Sequence, residues 1–131
     1  FAIRMQRSQE NAMELANRLS KDSRISKVRY PGLATDSYHS LAKSFMKGFG
    51  AMISFDVKAS VEQVDLMCNS SKLITNATSL GGVESIWERR RRWATESATV
   101  PENLIRYSVG IENVDDLWDD IQQALNTAKI K

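Results

Sequence analysis

The spacing of hydrophobic and polar residues along this chain predicts four helices. Apolar residues recur at near-helical spacing over about residues 2–20, and a second helix is predicted over about 38–47, ended by glycines. Ser60 and Gln63 have the spacing of a capping box, which predicts a third helix to about residue 71. Asn113 is a good N-cap for the fourth helix. The clearest amphipathic stripe belongs to this last helix and contains Val114, Leu117, Trp118, Ile121, Leu125 and Ala128.

Four shorter segments between the helices have the composition of β-strands. They are residues 25–30, 51–57, 73–77 and 104–109. Residues 88–99 show no clear period and are interpreted as a long irregular connection. The resulting order is α, β, α, β, α, β, β, α. It predicts an α+β fold in which helices cover one face of a small sheet.

Composition describes a globular protein rather than a disordered or membrane-spanning one. The 131 residues suit one domain, with 42% hydrophobic and 26% charged residues. No segment approaches the roughly 18 apolar residues that a membrane helix needs, and we predict no membrane partner. Cys68 is the only cysteine, so no internal disulfide forms. We interpret it as a small core residue and expect a reducing, cytoplasmic location.

The net charge of +2 is local rather than spread over the chain. Residues 89–92 are four consecutive arginines, and without them the chain would carry −2. A solvated or acid-paired charge run is the favoured interpretation, and we predict no nucleic-acid partner. RNA binding through this run and Trp93 stays open as the weaker alternative, because cationic and aromatic side chains both contact nucleic acids.

Two segments suggest a site for an anion. Residues 79–85 begin with Ser79 and contain paired glycines after a strand, which lets backbone N–H groups approach a ligand. Arg106 lies in an otherwise apolar, strand-like segment, where an arginine is rarely buried without an anionic partner. Together they predict a pocket for a carboxylate or a phosphate. The alternatives are an ordinary glycine turn and an arginine on the solvent face of a sheet.

No catalytic or metal-ligating set is recognisable. His39 is the only histidine and has no cysteine or carboxylate at ligand spacing, so we predict no metal site. The sequence contains no Ser/His/Asp set, no recognisable pair of carboxylates and no lysine placed to form a Schiff base. We therefore predict that this chain has no catalytic residues of its own.

The chain resembles the C-terminal domain of the Cys/Met-metabolism enzymes that depend on pyridoxal phosphate. This family includes cystathionine γ-synthase, cystathionine γ- and β-lyases and homoserine sulfhydrylases. The resemblance runs through nearly the whole sequence. It is carried by Arg4-Met5, Asn11-Ala12, Val28–Leu33, His39 with Leu41–Lys43, Met46–Gly50, Ser54-Phe55, Ser79–Ser85 and Leu104–Glu112.

The resemblance implies a role for each residue of the predicted pocket. Ser79 and Arg106 match the positions that hold the α-carboxylate of the substrate amino acid. Thr78 matches the preceding position, which tunes the reaction and is commonly acidic in γ-synthases and γ-lyases, and Leu80 completes the predicted binding segment. The family usually has a proline and a histidine after this turn. Residues 88–93 replace that segment here, so its role cannot be transferred.

The resemblance also implies what lies outside this chain. Residues 1–131 would be a single small C-terminal domain, with a truncated inter-domain helix at 1–20 and a mainly antiparallel four-stranded sheet. A larger N-terminal domain would carry pyridoxal phosphate and its lysine, and the full-length enzyme would be a homotetramer. The chain alone is then expected to be inactive and without cofactor. A stand-alone α+β module that binds an amino acid or another anion is the alternative.

Overall fold

The computed structural model of this protein describes every residue from Phe1 to Lys131. The four predicted helices are present, and we number them in chain order. They are α1 (Ala2–Lys21), α2 (His39–Phe45), α3 (Val61–Ser70) and α4 (Val114–Thr127). The strands are β1 (Ile25–Arg29), β2 (Met52–Val57), β3 (Thr75–Asn76), β4 (Ile86–Arg89) and β5 (Leu104–Ser108). A short 3₁₀ helix at Arg90–Arg92 follows β4.

The strands form one sheet in the order β1-β2-β5-β4-β3. The pairs β1–β2, β2–β5 and β4–β5 are antiparallel, and β3 lies parallel to β4. The predicted α+β class and mainly antiparallel sheet are therefore confirmed. The number of strands was wrong, because the sheet has five rather than four. The predicted strand at 73–77 is reduced to Thr75–Asn76.

The missed strand is β4, whose four residues are all buried. Its side chains alternate between two covered faces of the sheet. Trp87 packs into the core, whereas Glu88 lies on the opposite face and is covered by the arginine side chains that follow it. A strand covered on both faces lacks the usual alternation of apolar and polar residues. The charged residues at 88–92 therefore led us to predict an irregular loop in this part of the chain rather than a strand.

Three helices cover one face of the sheet and enclose the core. α1 packs on β1 and β2, while α3 packs on α4 and β4. The largest fully buried side chains of this core include Trp87, Tyr30, Tyr107, Phe55, Leu15 and Leu19. The amphipathic stripe of α4 predicts that Trp118 belongs to the core, but Trp118 is only partly buried and packs against the core residues. Phe1 and Ile3 are exposed at the start of α1.

The predicted helix caps are mostly confirmed. Ser60 and Gln63 form the complete capping box of α3, and the Asn113 side chain accepts hydrogen bonds from two backbone N–H groups at the start of α4. The predicted end of α2 was wrong. Met46 is already extended, and of the two glycines that follow, Gly48 and Gly50, only Gly50 has a positive φ, of 74°. None of the helices combines the length and the apolar character needed to cross a membrane.

We expect Ser60→Ala to lower the free energy of unfolding by about 1 kcal/mol, because a backbone N–H at the start of α3 loses its acceptor. Urea denaturation of the chain measures this loss. Ser60→Gly is the matched control, since glycine at an N-cap costs only a few tenths of a kcal/mol. An alanine variant as stable as the wild type would contradict the capping role.

Candidate functional site

The two segments that the sequence singled out are locked together by hydrogen bonds. The Ser108 hydroxyl at the end of β5 accepts a hydrogen bond from Gly81 N at 2.9 Å. The Glu112 carboxylate accepts from Ser85 N at 2.6 Å and from Ser85 Oγ at 3.0 Å. Ser85 Oγ in turn accepts from Gly110 N at 2.9 Å. The turn at residues 79–85 is therefore held in place by the end of β5.

Two glycines allow this close approach. Gly81 has a φ of +75°, in the left-handed region that other residues rarely adopt. A Cβ atom on Gly110 would lie 2.3 Å from the carbonyl oxygen of Val83, which no side chain can tolerate. Asn11 on α1 closes the assembly by donating to the carbonyl oxygens of Gly110 and Glu112, at 3.0 and 2.8 Å.

Arg106 lies in the middle of β5 and faces away from the core. Its Nη2 donates to the carbonyl oxygen of Thr78 at 2.5 Å and is 3.4 Å from that of Ser79. The same nitrogen is 2.9 Å from Glu88 Oε1 on the neighbouring strand. The structure thus brings Arg106 to Thr78 and Ser79, which precede it by 28 and 27 residues.

Part of this cluster remains free to bind a ligand. Every contact of Arg106 within the chain uses Nη2, which leaves the N–H groups of Nη1 and Nε without a protein partner. The Ser79 hydroxyl has no partner either, and both Ser79 and Leu80 are exposed. A guanidinium group with free N–H donors suits a carboxylate, to which it can donate two parallel hydrogen bonds. The arrangement can therefore bind an anion beside the Ser79 turn.

The sequence did not point to Glu88, which is the most connected residue of this region. Its fully buried carboxylate accepts hydrogen bonds from Arg90 Nη1 at 2.5 Å, Arg92 Nε at 3.1 Å and Trp93 Nε1 at 3.1 Å. Thr78 Oγ1 also donates to it, at 3.2 Å. Burial raises the pKa of Glu88, but hydrogen bonds from Trp93 and Arg90 and the nearby arginine charges outweigh it, so this pKa lies below its usual range.

Each residue of the arginine run pairs with an acidic side chain. The partners are Asp65 and Glu102 for Arg89, Glu88 and Glu96 for Arg90, Glu102 for Arg91, and Glu88 for Arg92. The interpretation as an acid-paired run is therefore confirmed. The RNA-binding alternative loses its main support, because these guanidinium groups are already engaged within the fold.

The remaining candidates of the sequence lie elsewhere in the fold. Cys68 is buried in the core as predicted, and burial raises the pKa of its thiol to about 12. His39 Nδ1 lies 2.7 Å from the carbonyl oxygen of Pro31, and its ring is 5.4 Å from that of Phe49. No group of three or more potential ligand side chains is arranged to hold a metal ion.

A family model describes the sequence pattern of nearly the whole chain. The model for the Cys/Met metabolism PLP-dependent enzymes matches residues 1–126. Among curated proteins, the cystathionine gamma-synthase of Mycobacterium leprae is 43% identical to this chain, over 96% of it and 34% of that protein. The cystathionine gamma-lyase of Dictyostelium discoideum is 40% identical, over 95% of this chain and 34% of that protein.

Solved structures give the same result for the fold. The cystathionine gamma synthase from Xanthomonas oryzae pv. oryzae, in complex with cystathionine, matches with a TM-score of 0.91 and 34% identity. The match covers 98% of this chain and 35% of that one. The chain thus spans about a third of the length of the relatives it matches.

Proposed function

The chain belongs to the family of Cys/Met metabolism PLP-dependent enzymes, and we propose that it is the domain of such an enzyme that binds the substrate carboxylate. The related synthase and lyase are both named for reactions of cystathionine. The proposed substrates are therefore sulfur amino acids or activated homoserine. A larger N-terminal domain completes the proposed enzyme, and its assembly would be a homotetramer.

The observation that carries this proposal is the position of Arg106 beside Ser79. Nη2 of Arg106 is fixed by the Thr78 carbonyl and by Glu88, whereas Nη1 and Nε have no partner in the chain. A substrate carboxylate that accepts from these free N–H groups would also lie close to Ser79. Nη1 and Nε, held in place by the contacts of Nη2, would bind the carboxylate in one orientation at a lower entropic cost than freely rotating donors.

Pyridoxal phosphate fits this proposal as a group held mainly outside the chain. Thr78, Glu88 and Arg106 make their hydrogen bonds and ion pairs with arginine, glutamate, tryptophan and backbone groups, and we propose that the lysine that holds the cofactor lies in the N-terminal domain. When bound, the cofactor supplies an electron sink for negative charge on substrate carbons. In our proposal Ser79 and Arg106 orient the substrate, and Leu80 provides an apolar surface at the rim of the carboxylate site.

We propose that Thr78 links substrate binding to the choice between synthase and lyase reactions. Its carbonyl oxygen accepts from Arg106, and its hydroxyl accepts from Arg92 Nη2 at 3.0 Å. Thr78 therefore connects the carboxylate-binding arginine to the arginine run that replaces the usual segment of the family. Synthase and lyase activities of the full-length protein, measured side by side, would identify the reaction.

Ser79→Ala tests the proposed carboxylate site in the full-length protein. Loss of one hydroxyl donor should raise KM for a sulfur amino acid about 2- to 13-fold, the range expected for one hydrogen bond. Steady-state kinetics with cystathionine measures the effect. Ser20→Ala removes an exposed hydroxyl from the end of α1 and serves as the control. Equal KM values for the two variants would contradict a role for Ser79.

A further inference from the structure

Glu88 and Arg106 face each other across two neighbouring strands. They are direct partners in the register of β4 and β5, on the sheet face opposite the core. Glu88 is fully buried, whereas the Arg106 side chain keeps 21% of its surface exposed. A cross-strand pair with opposite charges stabilises the sheet, yet this pair also places a protein carboxylate on the arginine that we assign to the substrate.

The charges around Glu88 explain why it does not block that arginine. Arg90, Arg92 and Arg106 contribute three positive charges, and Glu88 with Glu96 contributes two negative charges. The cluster therefore keeps one positive charge, which equals the charge that one substrate carboxylate would neutralise. Arg90 and Arg92 also pair with Glu88. The single negative charge of Glu88 therefore holds Arg106 in place without fully neutralising it.

The contacts of Arg106 engage one nitrogen of its guanidinium group, Nη2, and leave the other two, Nη1 and Nε, free. Glu88 Oε1 and the Thr78 carbonyl both engage Nη2, at 2.9 and 2.5 Å. A guanidinium carries five N–H donors, and the three on Nη1 and Nε remain available. A fixed Nη2 restricts the rotation of a flexible side chain, which would otherwise lose rotamer entropy when the substrate binds.

We propose that Glu88 is a positioning residue for Arg106, which it holds in the orientation that presents Nη1 and Nε to the substrate carboxylate. This inference rests on the function proposed above for Arg106. Glu88 itself does not contact the substrate. The arginine run and Trp93 form the cover that keeps the Glu88 carboxylate buried and charged.

The test uses the full-length protein and steady-state kinetics with cystathionine. Glu88→Gln should raise KM about 3- to 10-fold and change kcat by less than about twofold, since a less well held Arg106 binds the carboxylate more weakly in the ground state and the transition state alike. Glu88→Asp keeps the charge but is shorter by one methylene group, so it too should raise KM. Glu96→Gln is the matched control, because Glu96 pairs with Arg90 and does not contact Arg106.

A double-mutant cycle shows whether Glu88 acts through Arg106. When Arg106 is already alanine, Glu88→Gln should leave KM unchanged, because the group that it positions is absent. An equal rise of KM in both backgrounds, or an equal rise in Glu96→Gln, would indicate general loosening and overturn the inference. A lower KM in Glu88→Gln would show that Glu88 competes with the substrate, which also overturns it.

The same experiments separate this inference from the proposed function. If Arg106→Ala leaves KM unchanged, the proposed carboxylate site itself is wrong. If Arg106→Ala raises KM but Glu88→Gln and Glu88→Asp do not, only the positioning role of Glu88 is wrong. Should Glu88→Gln fail to fold, Glu88→Asp in the two Arg106 backgrounds gives the same comparison, because it retains the buried charge.

Discussion

Arg106→Ala in the full-length protein is expected to lower kcat/KM for a sulfur amino acid about 10- to 150-fold. This range corresponds to about 1.5–3 kcal/mol, the contribution of hydrogen bonds to a charged group. The loss should appear mainly as a higher KM, because Arg106 is proposed to bind the carboxylate in the ground state and the transition state alike. Steady-state kinetics with cystathionine as substrate measures both constants.

The Arg106→Ala variant should remain folded. Glu88 keeps its contacts with Arg90 and Arg92 after Arg106 is removed, so its buried carboxylate stays compensated. Arg91→Ala is the matched control, since it removes the same charge from a nearby residue that pairs with Glu102 and contacts neither Glu88 nor Arg106. Similar losses of kcat/KM in both variants would mean that overall charge, rather than this guanidinium, binds the substrate.

The parts of the site that could be predicted from the sequence are those that depend on local chemistry. An arginine in an apolar strand and a serine before two glycines were singled out from the sequence alone, although a solvent-facing arginine and an ordinary glycine turn stayed open as alternatives. Their proximity is not local, since it depends on the antiparallel pairing of β4 with β5 and on the hydrogen bonds of Ser108 and Glu112 to the turn.

Glu88 could not be recognised in this way. Its importance comes from burial and from three arginines that converge on it, and two of them, Arg90 and Arg92, belong to a run that suggested a solvated loop. The one available signal was a group of acidic residues near the run. It did not show which acid is buried. The pairing had to be seen in the folded chain.

In the fold, too, the features set by neighbouring residues could be predicted from the sequence, whereas those set by distant parts of the chain could not. Ser60 with Gln63 and Asn113 mark helix starts through interactions within four residues, and both caps are present. β4 was missed because its two faces are covered by different parts of the chain. Trp87 and Trp118 illustrate the consequence. Periodicity placed Trp118 in the core, whereas Trp87 is the fully buried tryptophan.

Trp87→Ala is expected to lower the free energy of unfolding by about 3–5 kcal/mol, the usual cost of replacing a buried large aromatic residue by alanine. Trp87 has no exposed surface, its ring lies 5.9 Å from that of Tyr107, and its Nε1 donates to the carbonyl oxygen of Cys68 at 3.2 Å. The substitution therefore leaves a cavity between β4 and α3, and the Cys68 carbonyl oxygen keeps only the Ser71 hydroxyl as a side-chain donor. Urea denaturation followed by far-UV circular dichroism measures the loss.

Trp118→Ala provides the comparison that tests this assignment of the core. Trp118 lies at the edge of the core with Arg18 6.0 Å above its ring, so water can fill the space that its removal leaves. Its loss should cost clearly less than that of Trp87, because little buried volume becomes a cavity. A larger loss for Trp118→Ala would favour the periodicity-based prediction over the observed packing. Since Trp87 precedes Glu88 on β4, its removal should also displace the Glu88 carboxylate and raise KM in the full-length protein.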